Sequence, residues 1–236
     1  MRKLLLVAAL CFCSLSAVAQ NSYLWRASLV QAAPGKLVEL IAALKATATT
    51  SSPDQAPLWM RHSQGDRWDL MILYPMGTYA EYFQPERIER RKRALAQSSV
   101  RPDEIAWQED VFVYGPPLEA VRAAFNGSTL FHVEMFQSLP GLQSQLLRQR
   151  EMENAFSHTL KQPENLIFTR DQGAAWDLFT IGCYRNLKHY AESEDVSDAD
   201  REAAARAAGF KSGSDIGPYL RTLISLHHDT LAVAVR

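Results

Sequence analysis

Leu58–Leu70 reads LWMRHSQGDRWDL, and Leu166–Leu178 reads LIFTRDQGAAWDL. At a constant offset of 108 residues, Leu58, Gln64, Gly65, Trp68, Asp69 and Leu70 recur as Leu166, Gln172, Gly173, Trp176, Asp177 and Leu178. The same offset places Tyr82 over Tyr190, and Pro34-Gly35 corresponds to Pro140-Gly141 at an offset of 106. Agreement in the same order across both halves marks an internal repeat. Within each stretch, two β-rich runs flank a short turn with a glycine, which predicts a hairpin.

Outward from the hairpins, each half reads as strand, helix, hairpin, helix, strand. In the first half, Tyr23 to Gln31 is a predicted strand, and Pro34 opens a helix with Leu37, Leu40, Ile41 and Leu44 on one face. A helix from Thr78 is broken near Pro85, because proline lacks the donor a continuing helix needs. Ile105 to Tyr114 is the closing strand. In the second half, the corresponding segments are Thr129 to Gln137, Pro140 to Leu160, Asn165 to Arg170, Ala175 to Cys183, a longer helical region over Leu187 to Glu192 and Asp198 to Ala208, and Arg221 to Val235. Ser212 to Tyr219, punctuated by Gly and Ser, reads as a connection. The expected organisation is a leader over 1–19, repeats over 20–115 and 128–236, and a linker over 116–127 carrying a short helix at Leu118 to Phe125.

A four-stranded antiparallel sheet with both helices on one face leaves its other face uncovered, and a tandem copy supplies the cover. The expected fold class is therefore α+β: two tandem ferredoxin-like βαββαβ repeats packed sheet to sheet as one pseudo-symmetric α/β barrel. In this the sequence resembles the dimeric α/β-barrel superfamily. The Trp-Asp-Leu hairpins followed by a tyrosine-bearing helix are similar to those of its EthD, NIPSNAP and antibiotic-biosynthesis-monooxygenase branches. The resemblance implies a sheet order 4-1-3-2 in each half, a ligand site between the helix-free sheet face and neighbouring loops, and barrel edges that can pair into a homo-oligomer. It also brings in haem, which some relatives bind or degrade.

Composition narrows the function classes. The 236 residues are 47% hydrophobic and 22% charged, with 25 Lys+Arg against 26 Asp+Glu. That excludes intrinsic disorder and leaves no basic surplus for nucleic acid or an anionic membrane. Met1-Arg2-Lys3, the apolar run Leu4–Leu15 and the small-x-small site Ala17-Val18-Ala19 predict a signal peptide cleaved before Gln20, and hence a periplasmic or secreted protein. Leu10 and Phe12 precede Cys11 and Cys13, which argues against lipidation. No later segment reaches the roughly 18 apolar residues of a membrane anchor. After cleavage Cys183 stands alone, so no intrachain disulfide forms, and its place in an apolar run reads as a buried small hydrophobe.

Chemistry is sought on the strands by alternation. Phe131, Val133 and Met135 share one face, expected to take the helices, while His132 and Glu134 share the other with Arg26 and Ser28 of the matching first-half strand. These would point into the barrel. In the last strand, His228 is expected to join them rather than His227, because Leu231, Val233 and Val235 suit helix packing. The corresponding first-half stretch is Gln108-Glu109-Asp110, so the His227-His228 pair is specific to the second half. His132, His228 and Glu134 are thus the candidate catalytic residues. Arg26, Ser28, Arg61 and His227 are the candidate ligand-binding residues. Three readings stay open: a hydrogen-bonded structural network, a small-molecule site with a histidine base, or a metal or haem site. No HExxH or CxxCH spacing supports the last, so no cofactor is expected. The functional expectation is an exported protein binding a small aromatic or apolar molecule in the barrel cavity. Its alternatives are a cofactor-free monooxygenase or isomerase using a cavity histidine, and a structural or interaction module of the cell envelope. The repeated Trp68 and Trp176 read as core, and Asp69 and Asp177 as ties at the hairpins. Arg87–Arg93 and Gln149-Arg150-Glu151 read as solvated helix faces.

Overall fold

The computed structural model describes residues 23–48, 52 and 54–235; the leader over 1–19 lies outside the described residues. The first half contains β1 (Tyr23–Ala32), α1 (Leu37–Ala48), β2 (Leu58–Gln64), β3 (Leu70–Gly77), α2 (Tyr79–Tyr82), α3 (Pro85–Ala96) and β4 (Ile105–Gly115). After α4 (Leu118–Asn126), the order recurs as β5 (Leu130–Ser138), α5 (Gln143–Thr159), β6 (Leu166–Gln172), β7 (Leu178–Tyr184), α6 (Leu187–Ala191), α7 (Asp198–Ala208), α8 (Ile216–Arg221) and β8 (Ile224–Ala234). The predicted interruption at Pro85 is the boundary between α2 and α3. Thr78 caps α2, accepting from the Glu81 N–H. The connection expected over Ser212 to Tyr219 instead holds a 3₁₀ turn and the start of α8, whose Leu220 packs with Phe136 and Leu146. Burial of that one apolar face outweighs the Gly/Ser punctuation.

The strands close into one antiparallel barrel in the order β1-β3-β2-β8-β5-β7-β6-β4, which reproduces 4-1-3-2 in each half. The halves join at both edges: Met60–Gln64 pair with β8, and Phe112–Tyr114 pair with β6. No edge is left unpaired among the described strands.

The repeated Gln-Gly has its reason at these seams. Gly65 (φ +123°) lies against β8, where a Cβ would collide with the Asp229 carbonyl oxygen, and Gly173 (φ +84°) lies against the Asp110 carbonyl oxygen of β4 in the same way. Each hairpin tip therefore requires glycine both for positive φ and for close approach to the other half. Asp69 and Asp177 do act as ties: Asp69 Oδ2 accepts from Ala32 N at 2.8 Å, and Asp177 Oδ2 accepts from Ser138 N at 2.9 Å.

The barrel interior is filled by its own side chains. Trp25, Ala27 and Leu29 of β1, Met60, Met71, Leu73, Val111, Val113, Phe131, Val133, Met135, Phe168, Phe179, Ile181 and Ala232 form one buried cluster. Phe125 of α4 plugs it against Phe131, ring centroids 4.6 Å apart. This reverses the expected faces. The uniformly apolar face goes inside, where its side chains fill the narrow interior of an eight-stranded barrel. The mixed face lies outward under the helices: Val30, Leu70 and Ile72 meet Leu40 of α1, while Phe136, Ile167 and Leu178 meet Leu146 of α5. The helix layer of the second half is thicker, since α7 packs Ala205 and Ala208 against Met152 of α5.

Candidate functional site

Because the mixed face is the outer one, His132 and Glu134 project toward the helix layer of the second half rather than into the barrel. Strand register then decides their partners. Glu134 pairs with Asp229, His132 with Leu231 and Phe136 with His227, whereas His228 pairs with Met135 on the interior face. The expectation that His228 joins His132 is corrected: His227 does. His228 sits at the barrel mouth, with Nδ1 3.0 Å from Asp66 Oδ2 and its ring 4.8 Å from that of Trp176.

Four polar side chains meet on the outer face. His227 Nε2 lies 3.3 Å from Asp229 Oδ1 and 3.5 Å from Glu134 Oε1, and His132 Nε2 lies 3.3 Å from the same Asp229 oxygen. The His227 ring stacks on Phe136 at 4.5 Å, which fixes its plane. The His227 side chain is only 8% exposed, yet its Nε2 makes no hydrogen bond of acceptable geometry. Thr180 Oγ1 donates to Glu134 Oε2 at 3.0 Å. From α5, Arg150 Nη1 reaches the Glu134 oxygens at 3.4 and 3.5 Å, and its other nitrogens bind Glu153 and Gln149.

The charges are mutually adjusted. Burial opposes the charged form of His227, but the close approach and attraction of Asp229 and Glu134 outweigh it and push its pKa up to about 9. Close approach of His132 and His227 holds the Asp229 carboxyl well below the usual range. Burial pulls Glu134 upward, yet His227 and Arg150 leave it lowered, while for Glu153 burial prevails and raises it.

Beside this group the surface opens into a cleft of about 400 Å³, lined by Gln64, Gly65, His132, Tyr190, Asp229, Thr230 and Leu231. Tyr190 stands edge-on to His132, with centroids 5.6 Å apart, and burial raises its phenol pKa. The cleft straddles the β2–β8 seam, so the first half contributes part of its wall.

The remaining candidates lie elsewhere. Ser28 donates to Asp110 on the outer face of the first half, and the Arg26 guanidinium stacks over Tyr74 at 4.2 Å. Arg61 is exposed on β2 and pairs with Val233, outside the cleft lining. The expected gathering of Arg26, Ser28 and Arg61 with the histidines in one barrel cavity is therefore corrected. Sequence reading also missed Arg150, Thr180, Asp229 and Tyr190. Arg150 and Gln149 are buried rather than solvated, and the signal available was their position one helical turn from Leu146. Asp229 had its signal in plain alternation, once Glu134 is placed opposite it.

No family model matches the sequence, and no curated protein matches it. Solved structures are. An anthrone oxidase-like protein aligns over 92% of this chain and 94% of its own at 10% identity, with a TM-score of 0.59. A monooxygenase-like protein from Lactobacillus acidophilus NCFM aligns over 90% and 93% at 7% identity, with a TM-score of 0.51. The chain has their fold, the ferredoxin-like α+β barrel. Chlorite dismutases and a haem-binding protein from Thermus thermophilus align as well, the latter over 91% and 92% at 7% identity with a TM-score of 0.43. The expectation of no cofactor is corrected on this finding, one of the aligned structures being described as a haem-binding protein. The residues of the cleft do not fit a porphyrin, however. The cleft mixes polar and apolar walls, and the space between sheet and α5 behind it is filled by the buried Arg150 and Gln149.

Proposed function

We propose that this chain binds a small aromatic molecule in the cleft over the β2–β8 seam and oxidises it with dioxygen, His132 serving as the base. The observation that carries this reading is the His132–Asp229 contact at the cleft wall. A histidine that lines open space with a carboxylate 3.3 Å from its Nε2 has the geometry in which a carboxylate orients a histidine base. Tyr190 and Leu231 offer an aromatic edge and an apolar floor. The likeness to an anthrone oxidase-like protein and to monooxygenase-like proteins supports the substrate class.

Anthrone is the natural probe. Loss of its acidic C–H proton gives a carbanion that dioxygen attacks, and anthrone plus dioxygen yields anthraquinone plus water. We expect oxygen uptake and anthraquinone formation with the mature protein, reduced by about 10²–10⁴-fold in His132→Ala, the range for loss of a general base. Equal rates in both proteins would overturn the assignment of His132. We further propose that the chain is exported; a secreted form beginning at Gln20, read by N-terminal sequencing, is the expected result, and an intact Met1 in the mature protein would refute it.

A further inference from the structure

We propose that Glu134, His227 and Asp229 form a binding site for a divalent transition-metal ion of the zinc class, a site independent of whether anthrone is the substrate. One ligand atom from each of the three lies within 4.8 Å of the others. The His227 Nε2 to carboxylate distances of 3.3 and 3.5 Å bracket the edge of a tetrahedron with ~2.1 Å metal–ligand bonds, about 3.4 Å. A hydrogen bond between the same atoms would be shorter and straighter, and none forms. His227 Nε2 is instead a buried nitrogen aimed between two carboxylate oxygens without a hydrogen-bond partner. Leaving such an atom unmatched costs free energy that a metal ion would recover.

The surrounding charge agrees. Glu134 and Glu153 share one guanidinium, Arg150, and Asp229 lies against His132 and His227, so with His227 as a neutral ligand two negative charges are left for a dication to balance. Outer contacts are in place as well: Thr180 and Arg150 orient Glu134, Phe136 orients the His227 ring, and His132 holds Asp229. Three protein ligands, one of which (Asp229) lines the open cleft, is the donor number of a reactive rather than a purely structural site.

The first half supplies an internal control. By register, Ser28 stands where Glu134 does, Gln108 where His227 does, and Asp110 where Asp229 does. There the three side chains satisfy one another: Ser28 donates to Asp110, and Gln108 Nε2 donates to it at 3.1 and 3.2 Å. One outer face is closed by hydrogen bonds; the other replaces serine and glutamine with metal-type donors and leaves a nitrogen open.

The test uses the untagged mature protein, stripped with chelator and titrated with Zn²⁺ by calorimetry and with Co²⁺ by visible absorption. The expected result is one equivalent bound, with the intense d–d bands of four-coordinate Co²⁺ and a raised thermal midpoint. Asp229→Asn, at a half-exposed position that tolerates the change, should weaken binding more than about tenfold. Asp110→Asn should leave it unchanged. A folded wild-type protein that binds neither ion at millimolar concentration overturns the proposal, as does equal affinity in the two variants. Anthrone binding by the stripped protein is measured in parallel, so failure of the metal site is told apart from failure of the cleft.

Discussion

Replacing Arg150 with methionine keeps the aliphatic stem of the side chain and removes only its charge and its hydrogen bonds. The side chain is 1% exposed and stands between Glu134 and Glu153, with its guanidinium 4.7 Å from the Phe136 ring centroid. Without it, two buried carboxylates face each other with no cation from α5. Breaking a buried ion pair by removing one partner costs about 3–5 kcal/mol, because the surviving charge stays desolvated. For a chain of this size each kcal/mol moves the midpoint by about 2–4 °C, so a drop of roughly 6–20 °C is expected. The assay is urea and thermal unfolding followed by circular dichroism, at neutral pH, for Arg150→Met alone and combined with Glu134→Gln and Glu153→Gln. The triple variant should recover most of the loss, since its buried groups are neutral. A single-variant loss below about 1 kcal/mol, the size of an exposed pair, would refute the claim that α5 is tied to the sheet by this cluster.

Other expectations follow from the same contacts. Gly65→Ala should cost about 1–3 kcal/mol, since φ is +123° and the new Cβ would collide with the Asp229 backbone; Gly127→Ala, at φ −86° with no neighbour closer than 3.9 Å, should be near neutral. Asp177→Asn should lose about 1–3 kcal/mol in urea unfolding, because Asp177 accepts from Ser138 and pairs with Arg170 Nη2 at 2.5 Å. Burial pushes the Cys183 thiol up to about 12 from 9.0, so its thiolate fraction at pH 8 should fall about a thousandfold. Alkylation by iodoacetamide should then be far slower in the folded than in the unfolded chain and rise about tenfold per pH unit; rapid labelling of folded protein would contradict this burial.

The repeat made most of the topology legible. LWMRHSQGDRWDL and LIFTRDQGAAWDL located both hairpins, Pro85 located the break between α2 and α3, and the matched stretches Gln108–Asp110 and His227–Asp229 proved equivalent in register as well. What misled was the direction of the faces. Phe131, Val133 and Met135 on one side and Leu130, His132, Glu134 and Phe136 on the other are both compatible with burial under helices. Alternation states which residues share a side, and never which side is inside.

Legible in the sequence were the order of elements, the pseudo-symmetry, the tie residues Asp69 and Asp177, and the confinement of His132, His227 and His228 to the second half. These are local or internally repeated features, readable from periodicity and offset. Only the tertiary structure decided that the barrel is filled, that the polar face looks outward, that His227 rather than His228 meets His132 and Glu134, and that Arg150 is buried among them. Those outcomes depend on barrel closure and on the docking of α5. This closed sheet of eight strands is filled by its own apolar side chains, so the polar chemistry lies on its outer surface.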